Sequence, residues 1–249
     1  MGADLELVVG GRPVRFPAVW LRDKLPVTYP HVLAFPLHMA IMADGSFPFG
    51  AVGLVHVENR IVQRRVIQTG EELEIRARPT PLEDHPRGLA FSLLSEVVCD
   101  GEPVWEEVSR FLRRGQGGGA GASAGEGAPL EPTAEWRLAG ELGKRYAAVS
   151  QDRNPIHMHA LTAKALGFPK AIAHGMWTKA RCLAALEARL PDAFAVEVSF
   201  RKPILLPATV RFQSSGEGAK IDFAVIDAKG GPQHLQGRVR PLDGGRDPR

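Results

Sequence analysis

Between Gly115 and Pro132 the chain reads GQGGGAGASAGEGAPLEP, a stretch that holds seven of its 27 glycines and almost nothing apolar to bury. Such a composition makes a flexible connector, because it lacks the side chains whose burial offsets lost backbone entropy. A phosphate-cradling loop would need a preceding strand and a fixed glycine spacing, and this stretch offers neither. The 249 residues are therefore read as two parts, 1–114 and 133–249, joined by a linker at 115–132.

The two parts repeat one order of elements. In the second, a helix over His174–Leu190 precedes strand-like runs at Phe194–Leu205, Thr209–Ser214, Lys220–Asp227 and His234–Arg240, which alternate apolar and polar residues. In the first, a helix over Val32–Ala43 precedes Gly53–Val62, Glu72–Arg78, Leu89–Val98 and Val104–Leu112. Asp100-Gly101 and Lys229-Gly230-Gly231 separate the last two strands of each set, as hairpin turns do. A long apolar helix followed by antiparallel strands packs most simply with the sheet wrapped on the helix, an α+β arrangement.

Composition narrows the function classes. Apolar residues make up 44% and charged residues 24%, with a net charge of +3, as in a globular protein. The basic residues are scattered and not interleaved with aromatics, which argues against nucleic acid, although a mild surplus suits a phosphate-bearing substrate. No apolar run reaches the 18 or so residues of a membrane span. The first residues lack the pattern of a signal peptide, so a cytoplasmic location is expected. Cys99 and Cys182 are the only cysteines, each in apolar context, and read as free buried thiols. No metal-ligand spacing occurs, so no metal is expected.

One short region gathers reactive side chains. Tyr146 is followed by Ser150-Gln-Asp152-Arg-Asn154-Pro-Ile-His157, placing a carboxylate, an amide and an imidazole within six residues beside an Asn-Pro turn. A short helical stretch is expected over Met158–Leu166, closing at Gly167. Ala173-His174-Gly175-Met176-Trp177, with His174 seventeen residues after His157, opens the long helix. Each group also suits a plainer role. Asp152 would serve as an N-cap for the stretch Ile156–Leu166, His157 as a structural histidine, and His159 as a surface or packing residue. Met176, Trp177, Leu183 and Leu186 sit at helical spacing and read as core.

Joined, the two segments resemble the MaoC-like (R)-specific enoyl-CoA hydratases, the hydratase 2 family. That pattern runs Ser-Gly-Asp-x-Asn-Pro-Ile/Leu-His and then Gly-Phe-x-x-x-Ile-Ala-His-Gly-Met. The chain departs from it only at Gln151, where glycine is usual. The resemblance implies a hotdog fold, doubled within one chain, with a degenerate first half that completes the sheet and one wall of an acyl tunnel. Phe35, Leu37 and Met39 are candidates for that wall. It implies reversible hydration of trans-2-enoyl thioesters to (R)-3-hydroxyacyl thioesters of coenzyme A or acyl carrier protein, in fatty-acid metabolism, with no cofactor.

By the same resemblance Asp152 and His157 are the catalytic pair and Asn154 positions the water or His157. The backbone N–H of Gly175 would meet charge on the thioester oxygen, and His174 shapes the start of the helix. Arg201 and Lys202 are candidates for the coenzyme phosphates, or a solvated strand edge. Two other functions fit the fold, hydrolysis of acyl thioesters and non-catalytic acyl binding; the intact Asp-x-Asn-Pro-x-His spacing favours hydration. A monomer and a homodimer are both compatible with a doubled fold.

Overall fold

The computed structural model describes residues 5–9, 12–16, 23–50, 53–115 and 130–242, with backbone alone for the first two segments and residue 114. A small hairpin, β1 (Leu5–Val9) and β2 (Arg12–Phe16), leads to α1 (Tyr29–Ala43). Pro30 lies in the first turn of α1, where its missing N–H leaves no intrahelical bond unmade. Then come β3 (Leu54–Gln63), β4 (Glu74–Pro79), β5 (Glu83–His85), β6 (Gly88–Cys99) and β7 (Glu102–Arg114). The β6–β7 turn has Asp100 at φ 50° and Gly101 at φ 82°, the two left-handed residues a tight hairpin requires.

The second half opens with β8 (Glu131–Leu138), followed by α2 (Leu142–Ser150), α3 (Pro155–Met158), α4 (Ala160–Ala165) and α5 (Gly175–Leu186). It closes with β9 (Phe194–Phe200), β10 (Ala208–Ser215), β11 (Ile221–Asp227) and β12 (Gln233–Pro241). Residues 116–129 of the glycine-rich stretch lie outside the described residues, and β8 begins at Glu131, inside the expected linker.

Apart from β1–β2, the strands form one ten-stranded antiparallel sheet in the order β4-β6-β7-β3-β9-β12-β11-β10-β8, with β5 beside β6. Counting from the long helix of each half, and setting aside the short β5 and the edge strand β8, the order is second, third, fourth, first, then first, fourth, third, second. The two halves thus have the same topology and meet first strand to first strand. This is the double hotdog, α+β. The core runs across the seam, joining Leu33 of α1 and Ile61 of β3 to Met176 and Leu183 of α5 and Val196 of β9.

The β3–β9 seam pairs Gln63 with Phe194 through Glu58 with Ser199 and then stops. Beyond that pairing, Leu54, Val55 and His56 of β3 and Phe200 of β9 line a cavity between the halves.

Some expectations require correction. The helix expected over Met158–Leu166 is two short helices broken at His159, whose backbone is extended (φ −147°, ψ 148°). The strand expected to reach Leu205 ends at Phe200, ahead of Arg201-Lys202-Pro203; proline has no N–H to donate to a ladder. β8 escaped notice because only Trp136 and Leu138 of this edge strand are buried, too few to show a period.

Candidate active site

The polar turn is built from its own backbone. Helix α2 ends with Gln151 in the left-handed region (φ 61°), which reverses the chain at the position where the family pattern has glycine. Ser150 Oγ donates to Tyr146 O (3.0 Å) and accepts from Asp152 N (3.2 Å). Asp152 Oδ1 accepts from Asn154 N (3.1 Å), a short Asx turn. The N-cap of α3 is Asn154, whose Oδ1 accepts from Ile156 N (3.4 Å), and Pro155 follows at the start of that helix. Asp152 is therefore not the cap. Its side chain is 27% exposed, with Oδ2 3.7 Å from His174 Nε2.

His157 is buried, and its Nδ1–H donates to Ile172 O (2.8 Å). A carbonyl can only accept, so the proton sits on Nδ1 and, in the neutral ring, Nε2 carries the lone pair. Gly143 lets α2 lie against this segment, since a Cβ there would stand 2.1 Å from His157 O. The His157 ring stacks on that of His174, with centroids 3.7 Å apart and planes 23° apart. His174 precedes α5 and donates from Nε2 to Asp152 O (3.0 Å), tying the helix start to the turn. His159 is exposed and apart from this cluster.

Burial pushes both imidazoles towards the neutral form. His157 is held below its ordinary value by desolvation, partly opposed by the Asp152 carboxylate and its bond to Ile172 O. His174 is lowered to about 4, by desolvation and then by His157. At neutral pH the pair offers bases rather than cations beside a carboxylate.

Gly175 is the first residue of α5, where backbone N–H groups have no intrahelical acceptor and the helix dipole is positive. A Cβ on it would lie 2.9 Å from the Phe200 ring, so glycine is what permits this close packing. Asp152, Asn154, His157, Gly175, Arg201 and Lys202 all line one cavity of about 150 Å³. Of the proposed tunnel wall on α1, Phe35 lines it; Leu37 and Met39 are not among its lining residues, and Met39 is exposed. Arg201 Nη2 donates to Gln236 Oε1 (3.3 Å).

Residues 124–236 match the model of the MaoC-like domain. The chain is 38% identical over 229 residues to the 3-hydroxyacyl-thioester dehydratase X of Mycobacterium tuberculosis, covering 88% of this chain and 80% of that protein. The chain belongs to the MaoC-like dehydratase family. Among solved structures, HtdX of the same organism superposes with a TM-score of 0.79 at 37% identity, over 89% of each chain. A MaoC-like dehydratase from Phytophthora capsici, at 20% identity and a TM-score of 0.66 over 88% of this chain and 84% of that one, shares the fold.

In this MaoC-like chain the first half adds a polar network that sequence reasoning missed. Glu107 of β7 is fully buried and accepts from His31 Nδ1 (2.9 Å) and Asn59 Nδ2 (2.6 Å). Despite its burial it is held down to about 2, chiefly by His31. Asn59 Oδ1 in turn accepts from Lys179 Nζ of α5, which also reaches Val196 O (3.3 Å). Burial lowers Lys179 to about 7. The signal was available: Lys179 falls on the same helical face as Met176, Leu183 and Leu186, where a charge must find partners. His31 and His38 likewise lie two turns apart on α1.

Two groups of three side chains could share a small bound species. Asp152, His157 and His174 bring ligand atoms within 4.8 Å of one another, and so do His31, His38 and Glu107. In each group, nitrogens or oxygens are already engaged within the protein. No helix among the described residues is long and apolar enough to cross a membrane.

Proposed function

We propose that the protein is a hydro-lyase interconverting trans-2-enoyl and (R)-3-hydroxyacyl thioesters of coenzyme A or acyl carrier protein in fatty-acid metabolism. The observation that carries this reading is the meeting at one cavity of Asp152, the start of α5 and His157, whose Nδ1 is held by Ile172 O while Nε2 has no hydrogen bond among the described residues. The similarity to a dehydratase of 3-hydroxyacyl thioesters supports the same substrate class.

In hydration, one water lies between the Asp152 carboxylate and His157. Neutral His157 accepts a proton at Nε2 while the water oxygen bonds to C3 of the enoyl chain. The π electrons shift towards the thioester, whose oxygen gains charge and is met by the Gly175 N–H and the helix dipole. Asp152 holds the second water hydrogen and stabilises the imidazolium, which then delivers its proton to C2. Hydroxyl and proton both come from one water, and dehydration is the reverse. Asn154 fixes the turn that aims Asp152. Arg201 and Lys202, on the same cavity, suit the phosphates of the carrier.

The test is loss of enoyl-thioester absorbance with crotonyl-CoA and trans-2-decenoyl-CoA, beside an assay for free thiol. Absorbance loss without thiol release is expected, falling about 10²–10⁴-fold in Asp152→Asn and His157→Gln with folding retained. Thiol release would make the protein a thioesterase. Near wild-type rates in either variant would refute the assignment of the pair.

A further inference from the structure

The first-half wall of the cavity is unusual for a surface meant to hold only hydrocarbon. His31 and His56 line it together with Phe35 and Phe111. His31 is fixed from behind, with Nδ1 donating to the buried Glu107 carboxylate (2.9 and 3.0 Å). His56 is placed differently. Its Nε2 is shielded from solvent and has no hydrogen-bond partner among the described residues, while the half-buried ring faces the cavity. Its ring stacks on Phe111 (centroids 4.7 Å, planes 18° apart) and leans on Phe200 (5.0 Å), the ring packed against Gly175. His56 is thus one aromatic ring away from the start of α5.

The backbone directs it there. The β3–β7 ladder shifts register between His56 and Glu58, leaving Val57 as an extra residue. Such a bulge re-aims a side chain that strict alternation would send to the other face. The β3–β9 pairing ends at Glu58, so that seam does not extend over His56. A buried polar nitrogen without a partner is unfavourable, and native structures rarely keep one unless something else satisfies it. Burial keeps this ring neutral, lowered to about 3, so at neutral pH it presents one N–H and one lone pair.

We propose that His56, with His31 beside it (centroids 6.3 Å), is a polar subsite for the acyl chain, and that preferred substrates carry a hydroxyl or carbonyl oxygen beyond the reacting carbons. This deepens the reading of the cavity as an acyl-thioester site and rests on it. A site that hydrogen-bonds a substrate oxygen discriminates strongly against the chain that lacks it, because the protein's own group is then left unpaired.

The test compares trans-2-decenoyl-CoA with five analogues carrying one hydroxyl at carbons 6 to 10. Wild type is expected to turn over at least one analogue with kcat/KM about tenfold above the plain chain. His56→Phe, which keeps an aromatic ring between Phe111 and Phe200, should bring that ratio towards one. His56→Gln, which restores a donor and an acceptor, should keep part of it. Wild-type values for all five analogues no higher than for the plain chain overturn the proposal, whether or not the variants fold.

Calorimetric titration of decanoyl-CoA and its hydroxylated analogues separates this failure from failure of the reaction. Hydroxyl-dependent affinity without turnover would refute the hydro-lyase reading and retain the subsite. Turnover without any preference for hydroxyl would refute the subsite alone.

Discussion

Gln151 shows how a single residue can bear a conformational cost for a site. It holds φ 61° to end α2, a region that L side chains enter at an expense of about 1–2 kcal/mol. Glycine avoids that strain but loses about 0.5–1 kcal/mol of chain entropy on folding. Gln151→Gly should therefore raise stability modestly, by about 0.5 kcal/mol, measured by urea unfolding; a loss of stability would show that the Gln151 side chain contributes more than the turn costs. At this scale the sequence was most legible. Asp152, Asn154 and His157 sit in a local motif, and local turns are built by nearby residues. What it could not show is that Asn154 caps α3, because Asp and Asn compete for one role and three-dimensional geometry decides between them. The lowered His157 also fixes a sign. Activity that needs a neutral imidazole is lost only on protonation, so the acid limb of kcat/KM should lie below pH 6.5, its ordinary value. An acid limb above that pH would contradict the role given to Nε2.

Among elements, α5 is held at two places by different chemistry. Its start is tied to the Asp152 turn through His174, and its middle is pinned to β3 and β9 by Lys179. Lys179→Met keeps the stem and removes the ammonium, leaving Asn59 Oδ1 and Val196 O short of a donor. Unsatisfied buried acceptors cost about 1–3 kcal/mol, and a loss of that size in urea unfolding is expected. An unchanged or higher stability would show that desolvating Lys179 outweighs its bonds. Helices α1 and α5 and the central strands were legible because burial imposes a period on them, whereas α2 was not expected and the α3–α4 stretch was read as one helix. β5 and β8 at the sheet edges were not, since a strand covered on few sides carries few obligatory apolar positions. The Glu107 network was illegible for another reason. Its members come from α1, β3, β7 and α5, and only the fold brings them together.

At the scale of the whole molecule, histidines held away from water set a direction for acid stability. His38 and His174 are lowered to about 4 and His56 to about 3, each chiefly by desolvation. The unfolded chain takes up protons near 6.5 that the folded chain refuses, so their contribution is present above that pH and lost as pH falls towards 4 and 3. Glu107, held to about 2, adds a loss of the same sign below the ordinary carboxylate range. Each pH unit removes up to about 1.4 kcal/mol per group, and Tm should fall steadily from pH 7 to pH 5. A flat profile would mean that these rings are solvated in solution. The repeated strand order was readable from the two sets of runs, but the seam was not, because alternation says which face a strand buries and not which neighbour it takes.

That seam has a consequence for how such a protein can change. The Asp-x-Asn-Pro-x-His motif occurs once, although the architecture is doubled. Were two identical chains to meet as β3 and β9 do, every substitution would be written twice, and a change beneficial to one wall would be imposed on its copy. Here His56 and Glu107 can drift without touching the residues proposed to move the proton. Under the proposed roles, such a division of labour between the halves lets selectivity be revised while the chemistry stays fixed.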